Sequence, residues 1–235
     1  MLHIINKITK GCRLVLFDKE KYDFTSFLDA VEIKSIEQKI SKGLSLSQIT
    51  KNNVSYYFLP LNLNGNDDVV NERLRIAGYT AFNQLKELKE NHIFLQVESN
   101  LKEDNLVSLI TGLLLSDYEF LKYKPNSKPF GLRIDMLNQT ISKSAVDEIN
   151  LLVESVNLTK DLVNEPVSYL TAVQYSKEIQ KLGKNAGFNV TVWNQKKIEQ
   201  EKMGGLIAVN RGSSAPATFN ILEYKPTKAI NKKPL

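Results

Sequence analysis

Short apolar runs rich in β-branched and aromatic residues recur through the first half of the chain. Each spans six to eight residues, shorter than a typical helix, and polar turn residues border it. We therefore predict strands in CRLVLF, VSYYFLPL, HIFLQV and GLRIDML.

Two longer segments between these runs carry apolar residues at three- and four-residue steps, which predicts helices with one face against a sheet. Asp67 and Asp68 precede the first of them, as acidic residues at a helix start often do. Residues 25–53 give a weaker pattern, in which Ser35 and Gln38 indicate the cap of a short helix. The apolar positions are Leu74, Ala77, Ala81, Phe82, Leu85 and Leu88 in the first segment, and Leu106, Leu109, Ile110, Leu113 and Leu114 in the second.

A third helix follows the last of these strands. Ser144 and Asp147 resemble a capping box, and Pro166 stops the pattern shortly after Asn164. Because strands alternate with helices before it, the first part of the chain is predicted to be an α/β domain, with this long helix as a connector. Its apolar stripe comprises Val146, Ile149, Leu152, Val153, Val156 and Val163.

The pattern restarts beyond the connector. Thr171 and Gln174 open a helix that runs through Leu182 and is closed by Gly183 or Gly187. A strand FNVTVW, a polar helix near residues 196–202, a run GGLIAV read as a strand, a turn NRGSSAP and a strand TFNILEY follow. These elements are too few to cover both faces of a parallel sheet. We expect an incomplete second α/β domain, whose uncovered apolar faces make the chain associate or aggregate.

The net charge of +5 invites a nucleic-acid interpretation, so its distribution matters. Residues 165–235 hold 11 basic and 5 acidic side chains, net +6, whereas residues 1–164 hold 20 and 21, net −1. The excess includes Lys225, Lys228, Lys232 and Lys233, without interleaved aromatic residues, and therefore fits a solvated loop. Nucleic acid is not favoured as a partner. No apolar run approaches the ~20 residues of a membrane helix, and we expect a cytoplasmic protein without a membrane partner.

Candidate chemistry is sparse. His3, His92 and Cys12 form no metal-ligand motif, and Cys12 lies in an apolar run as a buried side chain would. Asp161 and Glu165 share a helix face at a spacing typical of a solvated helix end. The glycines of MGGLIAVNRGSS fit no phosphate-binding loop, and GLSLSQ is not a nucleophile motif. No residue is assigned as catalytic, cofactor-binding or metal-binding.

Two strings near the end of the chain carry a resemblance. TKDLVNEPVSYLTAVQYSKEI and MGGLIAVNRGSSAPATFNILEYKP resemble the start of the catalytic domain of the leucyl aminopeptidase family, the cytosolic di-metal aminopeptidases. Upstream, RLRIAGYTAFNQLKELK and LVSLITGLLLSDYEFLKYK look like two helices of that family's N-terminal domain. The resemblance implies a macro-like N-terminal α/β domain over residues 1–142, a connector helix over 143–165 and the start of the catalytic domain over 166–235.

The resemblance also implies an activity: two divalent metal ions, zinc or manganese, activate a water that releases residues such as leucine from the amino end of peptides. Family members are typically hexamers, so a homo-oligomer is expected. The family's catalytic lysines, beside a Gly-Lys-Gly turn, and its Asn-Thr-Asp-Ala-Glu-Gly-Arg metal segment do not occur in these 235 residues. No metal is therefore expected to bind this chain, which is predicted to be inactive alone.

The matched residues are interpreted as scaffold. Pro166 stops a helix, Gly204 and Gly205 permit close packing at a strand start, Gly212 takes a positive φ, and Arg211 pairs with a carboxylate. The other matched residues are Asn164, Glu165, Met203, Asn210 and Ser213. An alternative stays open: a non-catalytic module whose N-terminal domain serves oligomerisation or binds a nucleotide-like ligand or DNA.

Overall fold

Eight strands and seven helices form the part of the chain that a computed structural model describes, which is residues 1–6, 11–42, 46–98, 101–137 and 141–228. Lys232 and Lys233 of the predicted basic loop lie outside these residues. The chain divides into two units, residues 1–161 and 162–235.

Unit 1 is built on a six-stranded sheet. Its strands are β1 (Leu2–Ile5), β2 (Cys12–Asp18), β3 (Ser47–Lys51), β4 (Val54–Leu61), β5 (His92–Val97) and β6 (Arg133–Leu137). Its helices are α1 (Ala30–Ser41), α2 (Asp67–Glu87), α3 (Glu103–Ser116) and α4 (Lys143–Asn164), the last of which runs past the boundary between the units.

The strand order is β1-β6-β5-β2-β4-β3, and all neighbours are parallel except the antiparallel pair β3 and β4. Successive residues of β2 point to opposite faces. Leu14 and Leu16 join the core under α2, α3 and the start of α4, whereas Val15 and Phe17 join the core under α1. The predicted α/β class is confirmed.

Helix α1 corrects the prediction made from Ser35 and Gln38. The helix starts earlier, with Asp29 as N-cap: its carboxylate accepts from the Glu32 backbone N–H at 2.8 Å, and the Glu32 carboxylate accepts from the Asp29 N–H at 3.0 Å. Ser35 lies inside the helix. The helix begins at the acidic pair because the carboxylates of Asp29 and Glu32 accept from backbone N–H groups that have no partner within the helix. Ser35 lies beyond this first turn, so its hydroxyl cannot serve as the cap.

Helices α2 and α3 meet through glycines. A Cβ atom at Gly112 would lie 2.2 Å from the Arg75 carbonyl oxygen, and one at Gly78 would lie 2.3 Å from the Leu109 carbonyl oxygen. The two backbones therefore approach at a distance that no side chain permits. Asp67 and Asp68 occupy the first turn of α2, as predicted, behind the N-cap Asn66.

Helix α4 starts one residue before the predicted Ser144. The hydroxyl of Ser142 accepts from the Ala145 N–H at 3.2 Å, so Ser142 supplies the cap. Of the predicted stripe, Val146 and Ile149 are buried, while Val163 is 78% exposed. The boundaries at 142 and 165 remain a prediction, which the division after Asp161 does not settle.

The described part of unit 2 contains a two-stranded antiparallel sheet and, after the end of α4, three helices. Thr171 caps α5 by accepting from the Gln174 N–H at 3.3 Å, and Gly187 ends it in the left-handed conformation at φ 78°. Of the two predicted stops, Gly187 is correct; Gly183 is buried inside the helix. The elements are α5 (Ala172–Ala186), β7 (Asn189–Asn194), α6 (Gln195–Gln200), α7 (Gly204–Asn210) and β8 (Thr218–Glu223), and β7 pairs with β8.

The predicted strand GGLIAV is wrong: these residues form most of helix α7. In an apolar run of only six residues, the spacing of apolar and polar positions cannot distinguish a helix from a strand. Gly204 and Gly205 have no atom within 4 Å of an added Cβ, so close packing does not explain them. Gly212 has no positive φ either; the described glycines that do are Gly65, Gly131 and Gly187.

Candidate functional site

A cavity of about 270 Å³ lies beside the loop that joins α7 to β8 in unit 2. The Asn210 side-chain amide donates to the Ala215 carbonyl at 3.2 Å, and the Ala215 N–H donates to the Ser213 hydroxyl at 3.1 Å, which holds the loop closed. The lining residues are Gln195, Ile207, Asn210, Arg211, Ser213, Ser214, Ala215 and Pro216.

The structure brings together some of the matched residues. Asn210, Arg211 and Ser213 line this cavity, whereas Met203 is the N-cap of α7 and Asn164 ends α4. The predicted ion pair of Arg211 with a carboxylate is absent among the described residues. Among the described residues, the lining holds amides, hydroxyls and one guanidinium but no carboxylate, imidazole or thiol, so these residues supply neither a general base nor a metal ligand.

The possible metal ligands of the described residues do not cluster. Within residues 1–6, 11–42, 46–98, 101–137 and 141–228, no three His, Cys, Asp or Glu side chains form a group that would hold a metal ion. A second cavity of about 270 Å³ in unit 1 is lined by Glu103, Asp104 and Glu148, but these carboxylates form no such group. The described donor set therefore does not fit a di-metal centre.

One buried carboxylate on the sheet of unit 1 holds two basic side chains. Asp135 on β6 is 3% exposed; it accepts from His92 Nε2 at 2.8 Å and from Arg133 Nε at 2.9 Å. Burial alone would raise the pKa of Asp135, but the hydrogen bonds from Arg133 and His92 outweigh it and hold the pKa below its usual range. This hydrogen bond gives His92 a structural role.

We expect Asp135→Asn to lower the free energy of unfolding at pH 7 by about 2 kcal/mol, because it removes charge-assisted hydrogen bonds from a buried position. A carboxyl whose folded pKa is lowered stabilises the fold above its unfolded pKa of about 4, and this contribution is lost as pH falls through the folded pKa. Urea unfolding between pH 2 and 7 should therefore show a flatter acid limb for the variant. Asp147→Asn, at an exposed position on α4, is the control. Equal stability of parent and variant at pH 7 would contradict the prediction.

Cys12 and Tyr57 are two potential nucleophiles that lie buried in the core of unit 1. Burial and the adjacent Glu90 carboxylate raise the pKa of both, to about 12 in each case. The Tyr57 hydroxyl donates to Glu90 at 3.1 Å, and the Cys12 thiol to the His92 carbonyl at 3.2 Å. Both groups are protonated at neutral pH and therefore structural, as predicted for Cys12.

Sequence reasoning missed Asp135 and Glu90. Asp135 lies within the predicted strand GLRIDML, two residues after Arg133, so the period of two places both side chains on one face. A carboxylate in an apolar strand with a basic neighbour two positions away was the available indication. Glu90 follows α2 and carries no comparable pattern.

Comparison with known proteins identifies the region that carries family features. Residues 157–235 match the family model described as the cytosol aminopeptidase family, catalytic domain. The probable cytosol aminopeptidase of Clostridium perfringens is 30% identical over 191 residues, which cover 77% of this chain and 38% of the relative. The probable cytosol aminopeptidase of Sulfurihydrogenibium sp. is 29% identical over 209 residues, which cover 84% of this chain and 41% of the relative. That of Chlorobaculum parvum is 50% identical over 76 residues.

Solved structures share the fold. A mutant of tomato leucine aminopeptidase superimposes with a TM-score of 0.72 at 16% identity, over 97% of this chain and 51% of the other. A bottromycin maturation enzyme, BotP, in complex with Mn superimposes with a TM-score of 0.71 at 18% identity, over 92% of this chain and 45% of the other. The chain thus spans about two fifths of the first curated relatives and about half of these structures. No described helix is long and apolar enough to cross a membrane.

Proposed function

Because this chain belongs to the cytosol aminopeptidase family, we propose that it forms the N-terminal part of a metal-dependent leucyl aminopeptidase, which releases residues such as leucine from the amino end of peptides. The observation that carries the proposal is the match of residues 157–235 to the family's catalytic domain, together with relatives more than twice as long as the matched region. The proposed location is the cytoplasm, and the proposed assembly is a homo-oligomer, a hexamer as in the family.

We propose that the whole enzyme holds two divalent ions, zinc or manganese, which activate water for amide hydrolysis. The described residues do not fit that centre, because no three of their ligand side chains come together. No step of the reaction is therefore derived through the residues of this chain.

The core of unit 2 supports the proposal of an incomplete domain. Among its described residues, the buried hydrophobic ones are Ile179, Ile198 and Ala217. Leu222 and Tyr224, in and after β8, are 52% and 70% exposed, and Val209 on α7 is 86% exposed. Apolar surface of this extent is typical of a face that another segment or subunit covers, which agrees with the expectation that the isolated chain associates.

The purified 235-residue chain should show no metal-dependent release of leucine from a leucyl anilide with Mn²⁺ or Zn²⁺ present. The reason is that its described residues offer no metal centre and the cavity beside Arg211 offers no general base. The full-length Clostridium perfringens relative serves as the positive control under the same conditions. Release that requires the metal and stops with a chelator would contradict the prediction.

A second experiment tests whether a longer protein exists. An antibody raised against residues 1–140 would capture the native protein from its source cells for intact mass measurement. A product much heavier than 26.7 kDa supports the aminopeptidase proposal. A product of that mass favours the second candidate, a non-catalytic oligomerisation or binding module. The closed core of unit 1, which surrounds both faces of β2, is the observation behind that candidate.

A further inference from the structure

A third cavity, of about 150 Å³, lies in unit 1 on one face of the sheet, beside the middle of β2 and the carboxyl end of β5. Val15 on β2 and Gln96 on β5, which are register partners, contribute one side of it. The segment that follows β2 contributes the other. The lining residues outside the two strands are Asp23, Phe24, Ser26, Phe27 and Glu98, together with Phe58 of β4.

The cavity lies beside the two adjacent strands, β2 and β5, from which the chain continues in opposite directions along the sheet. From β2 the chain proceeds through α1 to β3 and β4 on one side, and from β5 it proceeds through α3 to β6 on the other. Helix α1 packs on the face that carries Val15, whereas α3 packs on the face that carries Leu14. The connections after two adjacent strands therefore diverge. In open α/β sheets, ligands bind in the crevice at the carboxyl ends of the strands at such a switch point.

The lining combines aromatic rings with acceptors. Phe24 and Phe58 are buried and lie edge to face at 5.1 Å between ring centroids, and Phe27 is 37% exposed. Asp23 and Glu98 add two carboxylates at exposed positions, and the described lining residues include no lysine, arginine or histidine. The Gln96 Oε1 atom is buried and has no hydrogen-bond donor among the described residues, while Gln96 Nε2 donates to Glu98.

We propose that this cavity binds an organic cation of side-chain size, an alkylammonium or alkylguanidinium group. Aromatic faces attract cations, and carboxylates pair with them through charge-assisted hydrogen bonds. The Phe27 ring already attracts a cation of the protein itself, since Lys51 Nζ lies 5.1 Å from its centroid. The volume suits a single such group rather than a whole nucleotide, and the part of the lining that the structure describes offers no basic side chain for a phosphate.

The test is a titration of the full chain, followed by ligand-observed NMR and calorimetry. The probes are n-butylguanidinium, n-butylammonium, the neutral isostere n-butylurea, and adenine. We expect the two cations to bind and n-butylurea to bind at least about tenfold more weakly, because it lacks the charge. N-acetyl-lysinamide and N-acetyl-argininamide distinguish a side chain of a peptide from a free amine as the source of the group.

Two variants localise the binding. Glu98→Gln keeps the shape and removes the charge, and it should weaken n-butylguanidinium by about tenfold. Phe27→Leu, at a partly exposed position, should weaken it as well, and circular dichroism verifies that each variant is folded. Glu87→Gln, at an exposed carboxylate near the end of α2, should leave the affinity unchanged. Equal binding of n-butylurea, preferential binding of adenine, unchanged binding by Glu98→Gln, or no cation binding below about 10 mM would each overturn the proposal.

Discussion

Gly112→Ala should lower the free energy of unfolding of unit 1 by about 3 kcal/mol, because α2 and α3 are in backbone contact at this residue. The added methyl group would lie 2.2 Å from the Arg75 carbonyl oxygen, and backbone cannot move aside as a side-chain tip can. The two helices would have to separate along an interface that includes the buried Leu74 and Leu109. Urea unfolding, with hydrogen exchange of the α2 and α3 amides, measures the effect.

Gly204→Ala is the matched control for this substitution. It lies in α7, where an added Cβ meets no atom within 4 Å, so alanine should leave stability unchanged or raise it by up to about 1 kcal/mol through helix propensity. Equal free energies of unfolding for Gly112→Ala and Gly204→Ala would contradict the close approach of the α2 and α3 backbones.

Phe17→Ala should destabilise unit 1 by about 4 kcal/mol, since it removes a fully buried ring and leaves a void. Phe17 lies edge to face with Tyr22 and Phe24, at 5.0 and 5.1 Å between ring centroids, and these contacts attach the segment after β2 to the sheet. Thermal and urea unfolding would both register the loss.

Two comparisons separate cavity formation from a general effect of aromatic truncation. Phe17→Leu retains most of the volume and should cost clearly less than Phe17→Ala. Tyr79→Ala, at a position on α2 that is 56% exposed, should change stability by no more than about 0.5 kcal/mol. A similar cost for Phe17→Ala and Tyr79→Ala would show that the ring is not part of the core.

Strands with strong apolar patterns were predictable, and those that depend on distant partners were not. β2, β4, β5 and β6 correspond to the four predicted runs. β3 has a polar sequence, SQITK, and exists through its antiparallel pairing with β4. The residues of α7 were predicted as a strand from their apolar composition alone. In the structure, β7 and β8 pair directly with each other, and α7 lies between them in the chain but not in the sheet.

The candidate sites were less predictable than the fold. The resemblance of two strings identified the family, but the packing of Asn210, Arg211 and Ser213 around one cavity follows from the path of the loop. The hydrogen bond between His92 and Asp135 joins residues 43 positions apart, and no local period indicates it. The cavity between β2 and β5 depends on strand order, which propensity does not specify.

The position of β1 at the edge of the sheet sets the order in which unit 1 can form during synthesis. β1 pairs only with β6 among the described strands, and the Asn150 side chain accepts from the Leu2 N–H and donates to the Leu2 carbonyl across 148 positions. β1 is thus synthesised well before the groups that hold it in place, since both of its partners emerge from the ribosome more than 130 residues later. Until then the nascent chain carries β1 as an unpaired apolar strand, and a holding chaperone would have most to bind at this stage.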